Sequence, residues 1–287
     1  MSATPPAEPF DRRRRRVRRD RAAPRFGAHG FLHANIADEL LARLDAVDRR
    51  FTRALLIAAP DPTIADALRA KGLTVFAADA GFAFARAAGG VQCDEDRLPF
   101  AEASVDLVVS AGVLDSVNDL PGALVLARRA LRPDGLFLGG FVGGGSLPRL
   151  RAAMLAADMA TGGVSARIHP QIDVRGAGDL LARAGFALPV ADGDRLEVRY
   201  RNLDSLLADL RFGAQGSVLA GPPPALSPLG IATAHARFAD FADSDGRIGE
   251  IFELVYMIGW APDVSQPKPA RRGSAVTSLA AALKPRA

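Results

Sequence analysis

The apolar positions of this chain fall into two spacings. Short runs with no polar interruption alternate with stretches in which apolar residues return every third or fourth position, and turn residues separate the two. The first spacing predicts strands buried on both faces, the second helices laid over them. The clearest example is residues 91–141: an acidic loop, a strand at 105–110, a helix at 120–131, a turn at Arg132-Pro133-Asp134-Gly135 and a strand at 136–141. Before it the same reading gives a helix at 36–47, strands at 51–59 and 73–78 flanking a helix at 63–71 that Gly72 closes, a short helix at 82–88 and a strand at 91–92. After it come helices at 147–161, 174–184, 203–211 and 231–242, paired strands at 186–190 and 196–200, and a last strand at 251–260. This order predicts an α/β fold: a doubly wound, Rossmann-like sheet with helices on both faces, spanning residues 26–261, with a helical and β cap mainly within 147–250.

The two ends break the pattern. Residues 1–25 carry nine arginines against Glu8, Asp11 and Asp20, a formal +6, and the Pro/Lys/Arg/Ser-rich tail at 262–287 carries +4. The domain between them is therefore −6 within a total of +4, so the basic pI says little about what the domain binds. The arginine arm reads first as a solvated basic helix. Its other readings are a docking arm for an acidic protein, a peripheral contact with an anionic membrane surface, or a nucleic-acid contact, the last disfavoured. No apolar segment follows the arm as a secretory signal requires, and no apolar run approaches the roughly 18 residues of a membrane span. A single cysteine, Cys93, excludes an internal disulfide and fits a reducing compartment. Neither a Cys/His cluster nor an HExxH pair is present, so no metal site is read.

In doubly wound sheets ligands sit beyond the carboxyl ends of the strands. Asp79 falls at the end of the second strand, where a carboxylate accepts both ribose hydroxyls of a nucleoside. Asp94 and Glu95 follow the third strand and can address an adenine edge, and Ser110, Ala111 and Gly112 floor the space after the fourth. Carboxylates at strand ends also serve as helix caps, so each residue alone says little. Their spacing together favours a nucleoside-cofactor pocket.

The wording of these segments is more specific than their spacing. LPFAEASVDLVVS, VNDLP, LRPDG, LLARAGF and YMIGW resemble the class I S-adenosylmethionine methyltransferase superfamily. More narrowly, together with FDR…RRDRAA, GGVSARIHPQIDVR and the terminal RRGSA, they resemble the complex I assembly factor 5 family, mitochondrial arginine hydroxylases and their alphaproteobacterial relatives. Carrier-protein methyltransferases of the biotin pathway are the nearest different relatives. The resemblance implies an S-adenosylmethionine pocket formed by Ala58, Ala59, Asp79, Asp94, Glu95, Ser110 and Ala111, a respiratory complex I subunit as protein client, and a bacterial cytoplasmic location. It names no catalytic residue. The chain departs from the pattern at the first loop: Leu56 stands where the family strand has an acid, and Ala58, Pro60 and Pro62 where it has glycines. Glycine supplies positive φ and close backbone approach, whereas proline fixes φ and removes a donor, which weakens the expected hold on the cofactor. Asp115 and Ser116 replace a family aromatic and histidine.

Two functions follow as expectations. One is an S-adenosylmethionine-dependent enzyme modifying a protein during complex assembly; the other is a non-catalytic assembly chaperone that keeps the fold and has lost the cofactor. His169 reads as an exposed loop histidine before a proline, and less readily as a base near the pocket. Gly143-Gly144-Gly145-Ser146 reads as a strand-to-helix turn with Ser146 capping the helix.

Overall fold

The computed structural model describes residues 8–58 and 60–267. Basic helix α1 (Arg12–Ala22), a short α2 (Phe26–His29) and α3 (Phe31–Asp45) precede the sheet. Then β1 (Arg53–Ile57), α4 (Thr63–Ala70), β2 (Thr74–Asp79), α5 (Phe82–Ala87) and β3 (Val91–Gln92) alternate, followed by β4 (Val105–Ala111), α6 (Leu120–Ala130) and β5 (Leu131–Val142). The C-terminal part adds α7 (Pro148–Met159), α8 (Val174–Arg183), β6 (Ala187–Tyr200), α9 (Leu203–Phe212), α10 (Pro228–Ala239) and β7 (Ile248–Trp260). The seven strands lie in the order β3-β2-β1-β4-β5-β7-β6, parallel through β5, with β7 antiparallel to both its neighbours.

The alternation inside the apolar runs explains the two layers. Ala54 and Leu56 of β1 face one core and Leu55 and Ile57 the other; Leu136 and Leu138 of β5 oppose Phe137 and Phe141 in the same way. One core is closed by α3, α4, α7, α9 and α10, the other by α6 and α8. Residues at successive strand positions point to opposite faces, so an unbroken apolar run is what a doubly covered strand requires. Gly140 decides how near α3 can lie, since a Cβ there would stand 2.6 Å from Ile36 Cγ2.

Three local expectations change. The strands predicted at 186–190 and 196–200 do not pair with each other; they are one edge strand, β6, that pairs along its length with β7. The polar residues between them suit an edge, where one face meets solvent: Asp192 there binds Arg43 of α3 at 2.7 Å through both carboxylate oxygens. The turn predicted at 132–135 is drawn into β5, with a register shift opposite Val105–Leu107 and Asp134 at φ 61°. Ser146 does not cap α7. Leu147 holds the N-cap position at φ 61°, while Ser146 Oγ donates to the Gly143 carbonyl and accepts from the Glu253 N–H. Buried Glu250 takes the capping part instead, accepting from the N–H groups of Arg149 and Leu150. Burial raises its pKa above the ordinary glutamate value, and these N–H groups oppose that rise.

Candidate functional site

The parallel strands deliver four groups to one edge of the sheet. Ala58 follows β1, Asp79 ends β2, Asp94-Glu95-Asp96 follows β3, and Ser110-Ala111 ends β4. Ala59 lies outside the described residues. Asp79, Asp94 and Glu95 are buried to 1–2% exposure. A carboxylate taken that far out of water requires a charged or hydrogen-bonding partner. All three find it on α1.

The helix forms because Asp11 caps it, accepting from the Arg14 N–H, and because arginine is a good helix former. Its arginine run then divides by helical spacing. Arg12, Arg15, Arg16 and Arg19 recur at intervals of three and four and share one face. Arg19 grips Asp79 through two parallel bonds, Nε–Oδ1 at 2.7 Å and Nη2–Oδ2 at 2.6 Å. Arg15 grips Glu95 in the same forked manner at 2.6 and 2.8 Å. Arg16 binds Asp94 at 2.5 Å, and Arg12 binds both oxygens of Asp96 at 2.6 and 2.7 Å. Burial works against the Arg15 charge, but Glu95 outweighs it and Arg15 lies above the usual guanidinium range. The arm is therefore a docked element, and the reading as a solvated helix is corrected. Charge alone does not fix where an arginine points; the docked geometry follows from matching its stripe to the acidic edge.

The surrounding residues build this seat. Gly81 leaves room for the helix, since a Cβ there would meet Arg19 Cβ at 2.8 Å. Asp20 accepts from the Ala83 N–H at the start of α5. Asn118, within the VNDLP segment, clamps the chain ahead of α1: its Oδ1 accepts from the Phe10 N–H and its Nδ2 donates to the Phe10 carbonyl, at 2.8 and 3.0 Å. Ser116 Oγ accepts from Arg15 Nε. Arg12, Arg15, Arg16, Arg19, Asp96 and Asn118 are site residues that the reading of the sequence did not single out. The available signal was a −6 domain carrying a +6 arm.

S-adenosylmethionine, which the resemblance implies, does not fit the cleft as these side chains stand. Both oxygens of Asp79 and of Glu95 are engaged by arginine, and the spaces beside the Arg15 and Arg19 pairs hold about 10 Å³ each. That is one water's worth, against the roughly 300 Å³ or more of a small-molecule site. On the β1 side, Ala58 adopts φ 65°, a left-handed conformation suited to glycine, with Pro60 and Pro62 following. His33 Nδ1 stands 3.0 Å from Asp61 Oδ2, an ion-pair distance without hydrogen-bond alignment. Burial would raise the Asp61 carboxyl, but His33 and the Thr63 N–H hold it down at about 2. The Ser110 hydroxyl is buried in β4 with no hydrogen-bond partner among the described residues. Burial, and then Glu95, Asp94 and Asp79, push the Cys93 thiol up to about 12.

Behind α1 the cap encloses a separate cavity of about 460 Å³, floored by side chains such as Leu147, Leu150, Met154 and Phe252. His169 is in its wall, with a side chain only 12% exposed, which corrects the reading as an exposed loop residue. Its Nε2 accepts from the Val218 N–H at 2.7 Å, which in the neutral ring leaves the proton on Nδ1, 3.9 Å from Asp115 Oδ2.

Residues 62–139 match the family model described as a methyltransferase domain. Over 283 residues the chain is 32% identical to "Arginine-hydroxylase NDUFAF5, mitochondrial" of Danio rerio, covering 94% of this chain and 88% of that one. The Homo sapiens protein of the same description is 38% identical over 66% of this chain, which spans only 55% of its length. A "Malonyl-[acyl-carrier protein] O-methyltransferase" of Laribacter hongkongensis is 29% identical, covering 88% of this chain and 90% of its own. Among solved structures, the YcgJ protein of Bacillus subtilis superposes with a TM-score of 0.53 at 14% identity, over 79% of this chain and 99% of that one. At that identity the likeness shows the fold alone.

Proposed function

The chain belongs to the class I methyltransferase superfamily, alongside the NDUFAF5 arginine hydroxylases, and from that membership we propose that it is a bacterial cytoplasmic assembly protein for a respiratory complex I subunit whose nucleoside cleft is closed by its own N-terminal helix. In that closed state it binds its client without transferring a methyl group. The observation that carries this reading is the occupation of Asp79 and Glu95 by Arg19 and Arg15. Two further features support it. Pro60 and Pro62 replace the flexible turn a nucleotide loop uses. In addition, the cap cavity has Arg18, Arg21, Arg167 and Arg211 in its wall against a single carboxylate, Asp115. Like charges that close are costly, so the guanidinium of an arginine substrate is a poor occupant.

A second reading is a working S-adenosylmethionine-dependent enzyme in which α1 lifts away. It is favoured by the acids kept at the ends of β2 and β3, and by the bacterial relatives described as methyltransferases. Titration calorimetry with S-adenosylmethionine separates the two. The closed reading expects no heat at millimolar cofactor with the full chain. Micromolar binding by the full chain, abolished by Asp79→Ala, would overturn it. Binding that arises only in the Arg15→Ala/Arg19→Ala chain would assign the enzyme reading to an opened state.

A further inference from the structure

The two faces of α1 are treated differently. On the face toward the sheet, Arg12, Arg15, Arg16 and Arg19 each meet a carboxylate. On the face toward the cap, among the described residues, Arg18 donates to the Ser217 carbonyl and has no carboxylate partner, and Arg21 has none either. Arg211 of α9 joins them at the cavity wall, likewise without a carboxylate among the described residues. The fourth cation there, Arg167, is already matched by Asp158 at 2.6 Å. Burial, and then the neighbouring Arg14, Arg211 and Arg21, hold Arg18 below the ordinary guanidinium value. Three cations without an ion-pair partner among the described residues thus stand, with one carboxylate, Asp115, in the wall of a space whose floor is hydrocarbon. An apolar pocket with a few convergent polar groups is the usual form of a small-molecule site, and about 460 Å³ falls within the roughly 300–1,000 Å³ such sites occupy. A neutral apolar ligand would leave the guanidiniums unmatched, and an inorganic anion would leave the floor unused.

We propose that this cavity binds a single-chain amphiphilic anion, with its hydrocarbon chain among Leu147, Leu150, Met154 and Phe252 and its carboxylate or phosphate head against Arg18, Arg21 and Arg211. The site goes beyond the assembly reading and rests on its docked α1, whose other face supplies Arg18 and Arg21; amphiphile binding is read apart from cofactor binding, so the two can fail separately.

Calorimetry on the full chain with decanoate, decyl phosphate, decanol and inorganic phosphate tests it. The expected result is that decanoate or decyl phosphate binds at least ten-fold more tightly than either decanol or inorganic phosphate; which of the two is tighter assigns the head as carboxylate or phosphomonoester. The Arg21→Glu/Arg211→Glu chain should lose ten-fold or more of the anion's affinity while keeping that for decanol. Met154→Trp, which fills the cavity, should lose both. The charge-reversed pair sits at exposed helix positions, so it keeps the test standing if the packed variant does not fold. Equal affinity for decanol and the anions, anion binding that the charge-reversed pair does not weaken, or no binding by any of the four overturns the proposal.

Discussion

Ala58 shows how a residue can look like a departure in the sequence and still take a glycine-like backbone in the structure. The resemblance expects glycine there, and its φ is 65°. A left-handed conformation costs an L-residue about 1–2 kcal/mol, so Ala58→Gly should stabilise the chain by about 1 kcal/mol in urea unfolding. Ser110 is the reverse case, a candidate by position whose hydroxyl is buried without a partner among the described residues. An unsatisfied buried hydroxyl costs about 1–3 kcal/mol, so Ser110→Ala should be neutral or stabilising; a loss above about 1 kcal/mol would show that the hydroxyl is satisfied. Asp61 gives a pH signature. Its folded pKa of about 2 lies below the unfolded value of about 3.9. Its contribution is therefore complete above about pH 4 and is lost as pH falls toward about 2. In Asp61→Asn, the stability-versus-pH curve should be flatter over that window.

At the scale of the element, α1 decides what the acidic edge is for. Breaking one side of a buried pair costs about 3–5 kcal/mol, because the remaining charge is stranded. Arg19→Ala should therefore unfold at markedly lower urea than the parent, whereas Arg13→Ala, at an exposed position with no carboxylate partner among the described residues, should not. Native trypsin digestion offers a second view. Arg15 should resist cleavage in the parent and become cut in Arg19→Ala; rapid cutting at Arg15 in the parent would show that the helix is not held down. The strands and helices around this element were largely legible, since period-two and period-3.6 patterns need only local sequence. The docking was not. A run of arginines presents the same composition whether it faces water or carboxylates, and the register that joins Arg12, Arg15, Arg16 and Arg19 to the ends of β2 and β3 spans about sixty to eighty residues.

For the whole molecule, the docked arm changes what the charge means. Four arginines that would make a basic tail are matched inside the protein, so the full chain should bind duplex DNA weakly at physiological salt. Salt-sensitive binding that Arg12→Ala/Arg16→Ala weakens would instead show these arginines to be free. Among the described residues no helix is long and apolar enough to cross a membrane.

By itself the sequence determined the α/β class, most strand and helix positions, the acids at the carboxyl edge and the methyltransferase resemblance, because burial on two faces and turn chemistry are written locally. It also showed Ala58, Pro60 and Pro62 where the resemblance expects glycines. Only the tertiary structure decided that residues 187–200 form one edge strand, that His169 belongs to a cavity wall and that the acidic edge is filled by the chain's own arginines. Those outcomes depend on which distant surfaces meet. A buried carboxylate requires a charged or hydrogen-bonding partner, and here the fold supplies a cation from α1 to each of Asp79, Asp94 and Glu95, the acids the sequence reading expects to meet a cofactor.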